Sequence, residues 1–123
     1  MWLIMVAVAM AVSVSDVPNP RLQDSWVADM ADVLAEDTEL LINQRIDAVE
    51  SELGVEIAVV TVPTVGSTTA KQFTTALFNH WGIGKAAASN GLLMTIAVQE
   101  RRLEMETGDG LADVLPDGWL GQM

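Results

Sequence analysis

"EIAVVTV", residues 56–62, decides the fold. It is short, rich in β-branched residues, and bounded by Gly54 before it and Pro63 after it. An unbroken apolar run of this length reads as a strand buried on both faces, which needs helices above and below it. Upstream, Ile42, Ile46, Val49 and Leu53 recur at helical spacing, and Gly54 sits where a helix would end in a left-handed turn. Residues 37–53 are therefore predicted as a helix feeding the strand. Downstream, Ala70, Phe73, Leu77 and Trp81 form a second stripe that ends at "WGIG".

"LLMTIAVQ", residues 92–99, is a second fully apolar strand, and "RRLEMET" after it alternates Leu103 and Met105 with Glu104 and Glu106. Little more than "ERR" separates the two, so an antiparallel hairpin is expected. Strand, helix and strand make a parallel crossover, right-handed by the usual preference. The predicted class is α/β, a three-layer α/β/α sandwich around a small mixed sheet. "SDVPNPRLQDSW" holds two prolines, so residues 16–36 read as a linker and entry segment, with the domain over residues 37–123. The tail "TGDGLADVLPDGWLGQM" begins a helix that it does not complete, and the domain reads as incomplete at its C-terminus.

"MWLIMVAVAMAVSVS", residues 1–15, carries no charged side chain. It is too short to span a bilayer, which takes ~20 apolar residues, and it suits the apolar core of a signal peptide. Ala9 with Ala11, or Ala11 with Ser13, supplies the small residues that a leader peptidase inspects. A location outside the cytoplasm is expected. The chain carries 17 acidic against 6 basic residues, a formal charge of -11, which repels phosphate backbones and makes nucleic acid an unsuitable partner. With no cysteine, disulfides and thiolate chemistry are absent.

"HWGIGKAAASNGLL", residues 80–93, spaces Gly82, Gly84 and Ala87 like a dinucleotide fingerprint. Its context is reversed, because a helix precedes and a strand follows, so no helix N-terminus faces a pyrophosphate. A P-loop fails too, since Asn79 replaces its first glycine and Ala86 its hydroxyl residue. Nucleotide is thus excluded as a ligand. His80 is the only histidine, and no nucleophile elbow, zinc-protease helix or EF-hand loop occurs. Oxygen ligands for a hard cation remain: Asp29 and Asp32 face one side if "ADMAD" is helical, with Asn90 or Asp109 adding oxygens from loops. Pro116 breaks the helix that would align Asp113 and Asp117 with Asp109.

Read together, "DVPNPR", "IAVVTVP", "WGIG", "NGLL" and "GDGL…LPD" resemble, in order and spacing, the TPM domain family, named for thylakoid lumen and photosystem II repair proteins and a nematode channel modulator. The similarity runs from Val17 to the end of the sequence. It implies an α/β/α sandwich outside the cytoplasm, secreted or periplasmic, often with a C-terminal membrane segment. It further implies calcium binding, with Asp29, Asn90 and Gly91 at matching positions. With Asp109 from the loop reading above, Asp29, Asn90, Gly91 and Asp109 are the expected ligands, for calcium or magnesium. Arg101 matches the family arginine after the central strand, and Gly108 and Gly110 match the glycines of its "GxGLE" motif. Two carboxylates of the pattern are replaced, by Ser89 in the "DNG" loop and Ala112 in "GLE", which lowers the expected metal affinity. The function implied is a binding or assembly module for envelope or membrane proteins, with a metal-assisted acid phosphatase as the alternative.

Overall fold

The computed structural model describes residues 11–84 and 90–109. Among them, β1 (Val27–Asp29), α1 (Glu36–Leu53), β2 (Glu56–Val62), α2 (Ala70–Trp81), β3 (Gly91–Ala97) and β4 (Arg102–Thr107) follow in that order. The strands form one four-stranded sheet in sequence order. β1 and β3 flank β2 in parallel, and β4 closes the far edge antiparallel to β3.

The apolar run of β2 has two covered faces because alternate residues point to different helices. Ala58, Val60 and Val62 join Phe73 and Leu77 of α2 in one core, while Val59 packs with Ile46 of α1 in another. These separate cores give the expected three layers. α2 is fixed at its start by a capping box: the Thr69 hydroxyl accepts from the Gln72 amide at 3.0 Å, and the Gln72 side chain accepts from the Thr69 amide at 3.4 Å. Both helices end on a glycine with positive φ, 72° at Gly54 and 64° at Gly82, as the sequence predicted.

Four details differ from the sequence reading. The entry segment contains β1, too short to show a period, with Val27 and Ala28 buried. The chain before β1 is strapped onto the domain: Val17 is buried, and the Arg21 guanidinium lies 3.8 Å from the Trp26 ring centre while reaching Glu50 at 3.4 Å. Leu53, placed in the apolar stripe of α1, is exposed because α1 turns only Ile42, Ile46 and Val49 toward the sheet. β3 stops at Ala97, and the hairpin loop is Val98, Gln99, Glu100 and Arg101, since Val98 and Gln99 donate to Val62 and Pro63 instead of continuing the ladder to β4.

Candidate functional site

The carboxyl ends of β1, β2 and β3 lie together, and in open α/β sheets ligands bind outside such ends. Asp29 is the last residue of β1, in register with Thr61 of β2. The Thr61 hydroxyl donates to Asp29 Oδ1 and accepts from the Ala31 amide at 3.1 Å. The amides of Val33 and Leu34 donate to the two Asp29 oxygens at 3.2 and 2.9 Å. Asp29 therefore closes its own loop, with both carboxylate oxygens engaged. Burial alone would raise its pKa, but the bonds from Thr61, Leu34, Val33 and Glu39 prevail and hold the carboxyl below its ordinary value.

Glu39, on the first turns of α1, goes the other way. Burial pushes its pKa up, and the neighbouring charge of Asp29, a hydrogen bond to Asp29 and the charges of Asp32 and Glu36 add to the rise. The Asp29–Asp32 alignment expected of a helix is absent: Asp29 ends a strand, and Asp32 lies in the following turn at φ 52°.

The other three residues expected as ligands lie at the opposite end of the sheet. Gly91 starts β3 in register with Glu56, five residues before Thr61 on β2, so about 17 Å of strand separates this end from Asp29 at roughly 3.3 Å per residue. Asn90 accepts from the Glu56 amide through its main-chain oxygen and donates from its side-chain amide to the Gly54 carbonyl. The Gly91 carbonyl accepts from the Gly108 amide at 2.9 Å, which brings the exposed Asp109 beside it. Glu56, unnoticed in the sequence, joins this end: its Oε2 accepts from the Gly84 amide at 3.0 Å, and its Oε1 faces Arg21 at 3.6 Å.

Calcium or magnesium held by Asp29, Asn90, Gly91 and Asp109 together does not fit this geometry. Asn90, Gly91 and Asp109 are neighbours and Asp29 is remote, while both Asp29 carboxylate oxygens and the Asn90 and Gly91 main-chain oxygens already accept hydrogen bonds. Among the described residues no group of three or more histidine, cysteine, aspartate or glutamate side chains is placed to hold a metal ion. Ser89, Gly110 and Ala112 lie outside the described residues. His80 is exposed near the end of α2 and forms no part of either end.

The carboxyl end of the sheet carries a feature that sequence reasoning missed. α1 covers the β1 and β2 half of its face, and beyond it a groove of about 440 Å³ is lined by Val33, Ile96, Val98 and Leu103 with Arg101 and Arg102 at the rim. Val33, Val98 and Leu103 are exposed hydrophobics. Arg101 is held at φ 54°, a conformation that costs a non-glycine residue about 1–2 kcal/mol. The alternation of Leu103 with charged neighbours was visible, but nothing in the sequence says which half of a sheet face a helix leaves open.

A family model for the TPM domain matches residues 27–123. The chain belongs to the TPM domain family. The solution NMR structure of the N-terminal domain of a protein from P. gingivalis is similar to this TPM domain at 40% identity and TM-score 0.82, covering 92% of this chain and 73% of that one. The N-terminal domain of a protein from Corynebacterium glutamicum shares the fold at 21% identity and TM-score 0.64, over 73% of this chain and 57% of that one. No curated protein matches the chain. No helix among the described residues is long and apolar enough to cross a membrane.

Proposed function

We propose that this TPM domain acts outside the cytoplasm, secreted or periplasmic, as a binding or assembly module for envelope or membrane proteins. TPM domains are extracytoplasmic in general, and the apolar leader-like N-terminus agrees with that location. The observation that carries the reading is the open groove with Val33, Val98 and Leu103 exposed beside two arginines. Contiguous apolar surface rimmed by arginine is the composition of a protein interface. Asp29, the carboxylate that a phosphatase would use to hold a cation, is instead spent on its own loop. Weak calcium or magnesium binding belongs, in this proposal, to the Asn90–Asp109 end and not to Asp29.

The test uses the full-length protein in its own envelope. A photo-crosslinking residue placed at Leu103 is expected to form adducts with specific envelope proteins, and the same residue at Asp47, on an exposed turn of α1, is not. In parallel, the purified protein is offered a chromogenic phosphate ester with and without calcium or magnesium. Divalent-dependent turnover that disappears in Asp29→Asn would establish the phosphatase and overturn the module.

A further inference from the structure

The apolar N-terminal run ends in two overlapping pairs of small residues, Ala9 with Ala11 and Ala11 with Ser13. Leader peptidases require small side chains at the first and third positions before the bond they cut, so the sequence offers two bonds, Ala11–Val12 and Ser13–Val14. The folded domain treats them differently. The Val12 amide donates to the Thr64 carbonyl at 3.3 Å, next to the bridge that pairs Ala11 with Thr64. Val12 and Val14 both pack on the core beneath α2. Val17 behind them is 3% exposed, and Trp81 at the end of α2 donates its indole N–H to the Val17 carbonyl at 3.3 Å. A cut after Ser13 discards Val12, with its bond and its share of the core. A cut after Ala11 keeps both and removes a residue whose side chain is exposed.

We infer that the leader is removed between Ala11 and Val12, and that the new N-terminus is seated on Thr64. This rests on the extracytoplasmic reading above. The step is hydrolysis by a membrane-bound leader peptidase: water adds across the Ala11–Val12 amide, the carboxylate departs on Ala11, and the amine stays on Val12. A free α-amino group has a pKa near ~8, so at neutral pH it carries a proton and its bond to Thr64 becomes charge-assisted. A carboxylate is already hydrogen-bonded to the same residue. The Thr64 hydroxyl donates to Glu100 Oε2 at 2.7 Å, and Glu100 Oε1 is buried without a hydrogen-bond partner among the described residues. An uncut chain presents only a neutral peptide N–H at this place, so processing adds an ion where the fold holds an undersatisfied carboxylate.

The experiment expresses the full gene with its own leader in a host with an export pathway, and reads intact mass and N-terminal sequence of the exported protein. The expected N-terminus is Val12. Ala9→Leu removes a small residue needed only for the cut after Ala11 and is expected to abolish that cut, whereas Ser13→Leu blocks only the alternative and is expected to change nothing. Val14 as the natural N-terminus, or loss of processing in Ser13→Leu, overturns the placement while leaving the export reading intact. Protein recovered uncut overturns the placement and the leader reading together. As a second readout, purified protein starting at Val12 is expected to melt higher than protein starting at Val14, with the gap reduced by Glu100→Gln; equal melting overturns the seat on Thr64.

Discussion

Asp29 and Thr61 are register partners at the ends of β1 and β2, and the buried Thr61 hydroxyl donates to the Asp29 carboxylate while accepting from Ala31. The pair ties the shortest strand of the sheet to its central one and shapes the loop that carries Val33 into the groove. Thr61→Val keeps the shape and removes the hydroxyl, leaving the Ala31 amide without its acceptor. Loss of one such bond at a buried site is expected to cost about 1–3 kcal/mol. Chemical denaturation of Thr61→Val, Asp29→Asn and the double variant measures it, with a coupling well above ~0.5 kcal/mol expected for groups in contact. Additive costs would mean that the two side chains act independently.

The carboxyl pair at this end gives stability two opposite pH dependences. Asp29 has a folded pKa below its unfolded value, so its contribution is present above the unfolded value and lost as pH falls through the folded one. Glu39 has a folded pKa above its unfolded value, so it favours the fold at acid pH and loses that contribution as pH rises through the folded value. Glu39→Gln is therefore expected to raise the melting temperature at pH 7 and to have no such effect below about pH 4, near the unfolded glutamate pKa. Asp29→Asn is expected to lower it at pH 7, with the difference fading on acidification. Parallel melting curves across pH 3–8 for wild type and Glu39→Gln would show that the two carboxyls do not interact.

Much of this architecture was readable because its signals are periodic. β2, β3 and α2 announce themselves through two short apolar runs and a four-residue apolar stripe, and Gly54 and Gly82 mark helix ends through a conformation that other residues avoid. β1 was hidden because three residues are too few to show a period. The candidate site was harder for a different reason. Asp29 and Asn90 look like members of one ligand set in a linear motif, but parallel register puts one beside Thr61 and the other beside Glu56, at opposite ends of β2. Thr61 was the available clue, a polar residue near the end of an otherwise apolar strand.

That separation predicts how a cation would act. Any calcium-induced rise in melting temperature is expected to survive Asp29→Asn and to shrink in Asp109→Asn, because only the latter touches the end where Asn90, Gly91 and Asp109 meet. Calorimetric titration of the same variants gives the binding directly. A response abolished by Asp29→Asn would place the cation at the carboxyl end of the sheet instead.

Gly91 has a steric role that needs no metal. A Cβ on it would lie 2.6 Å from the Ile83 carbonyl carbon and 2.8 Å from the Gly84 amide nitrogen, both main-chain atoms that cannot swing away. Gly91→Ala is expected to destabilise the domain by about 1–3 kcal/mol, as overpacking does, in calcium and in chelator alike. A cost seen only in the presence of calcium would return Gly91 to the list of ligands.

Arg101 sets stability against binding at the groove. Its φ of 54° suits glycine, so Arg101→Gly relieves a backbone cost and is expected to stabilise the domain by about 1 kcal/mol. No ion pair holds Arg101 among the described residues, whereas its neighbour Arg102 reaches Glu104 at 3.0 Å. On the proposed interface, an arginine in a strained turn whose side chain has no ion pair among the described residues, beside exposed Val98 and Leu103, is the group expected to contact the partner. Arg101→Gly is accordingly expected to raise the melting temperature and at the same time cut the yield of envelope-protein adducts from a crosslinker at Leu103 several-fold. Arg101→Lys, which keeps the charge and the strain, separates the two effects: it is expected to leave the melting temperature near wild type and retain part of the crosslinking. Undiminished adducts in a stabilised Arg101→Gly protein would remove Arg101 from the interface and leave the groove to its apolar lining alone.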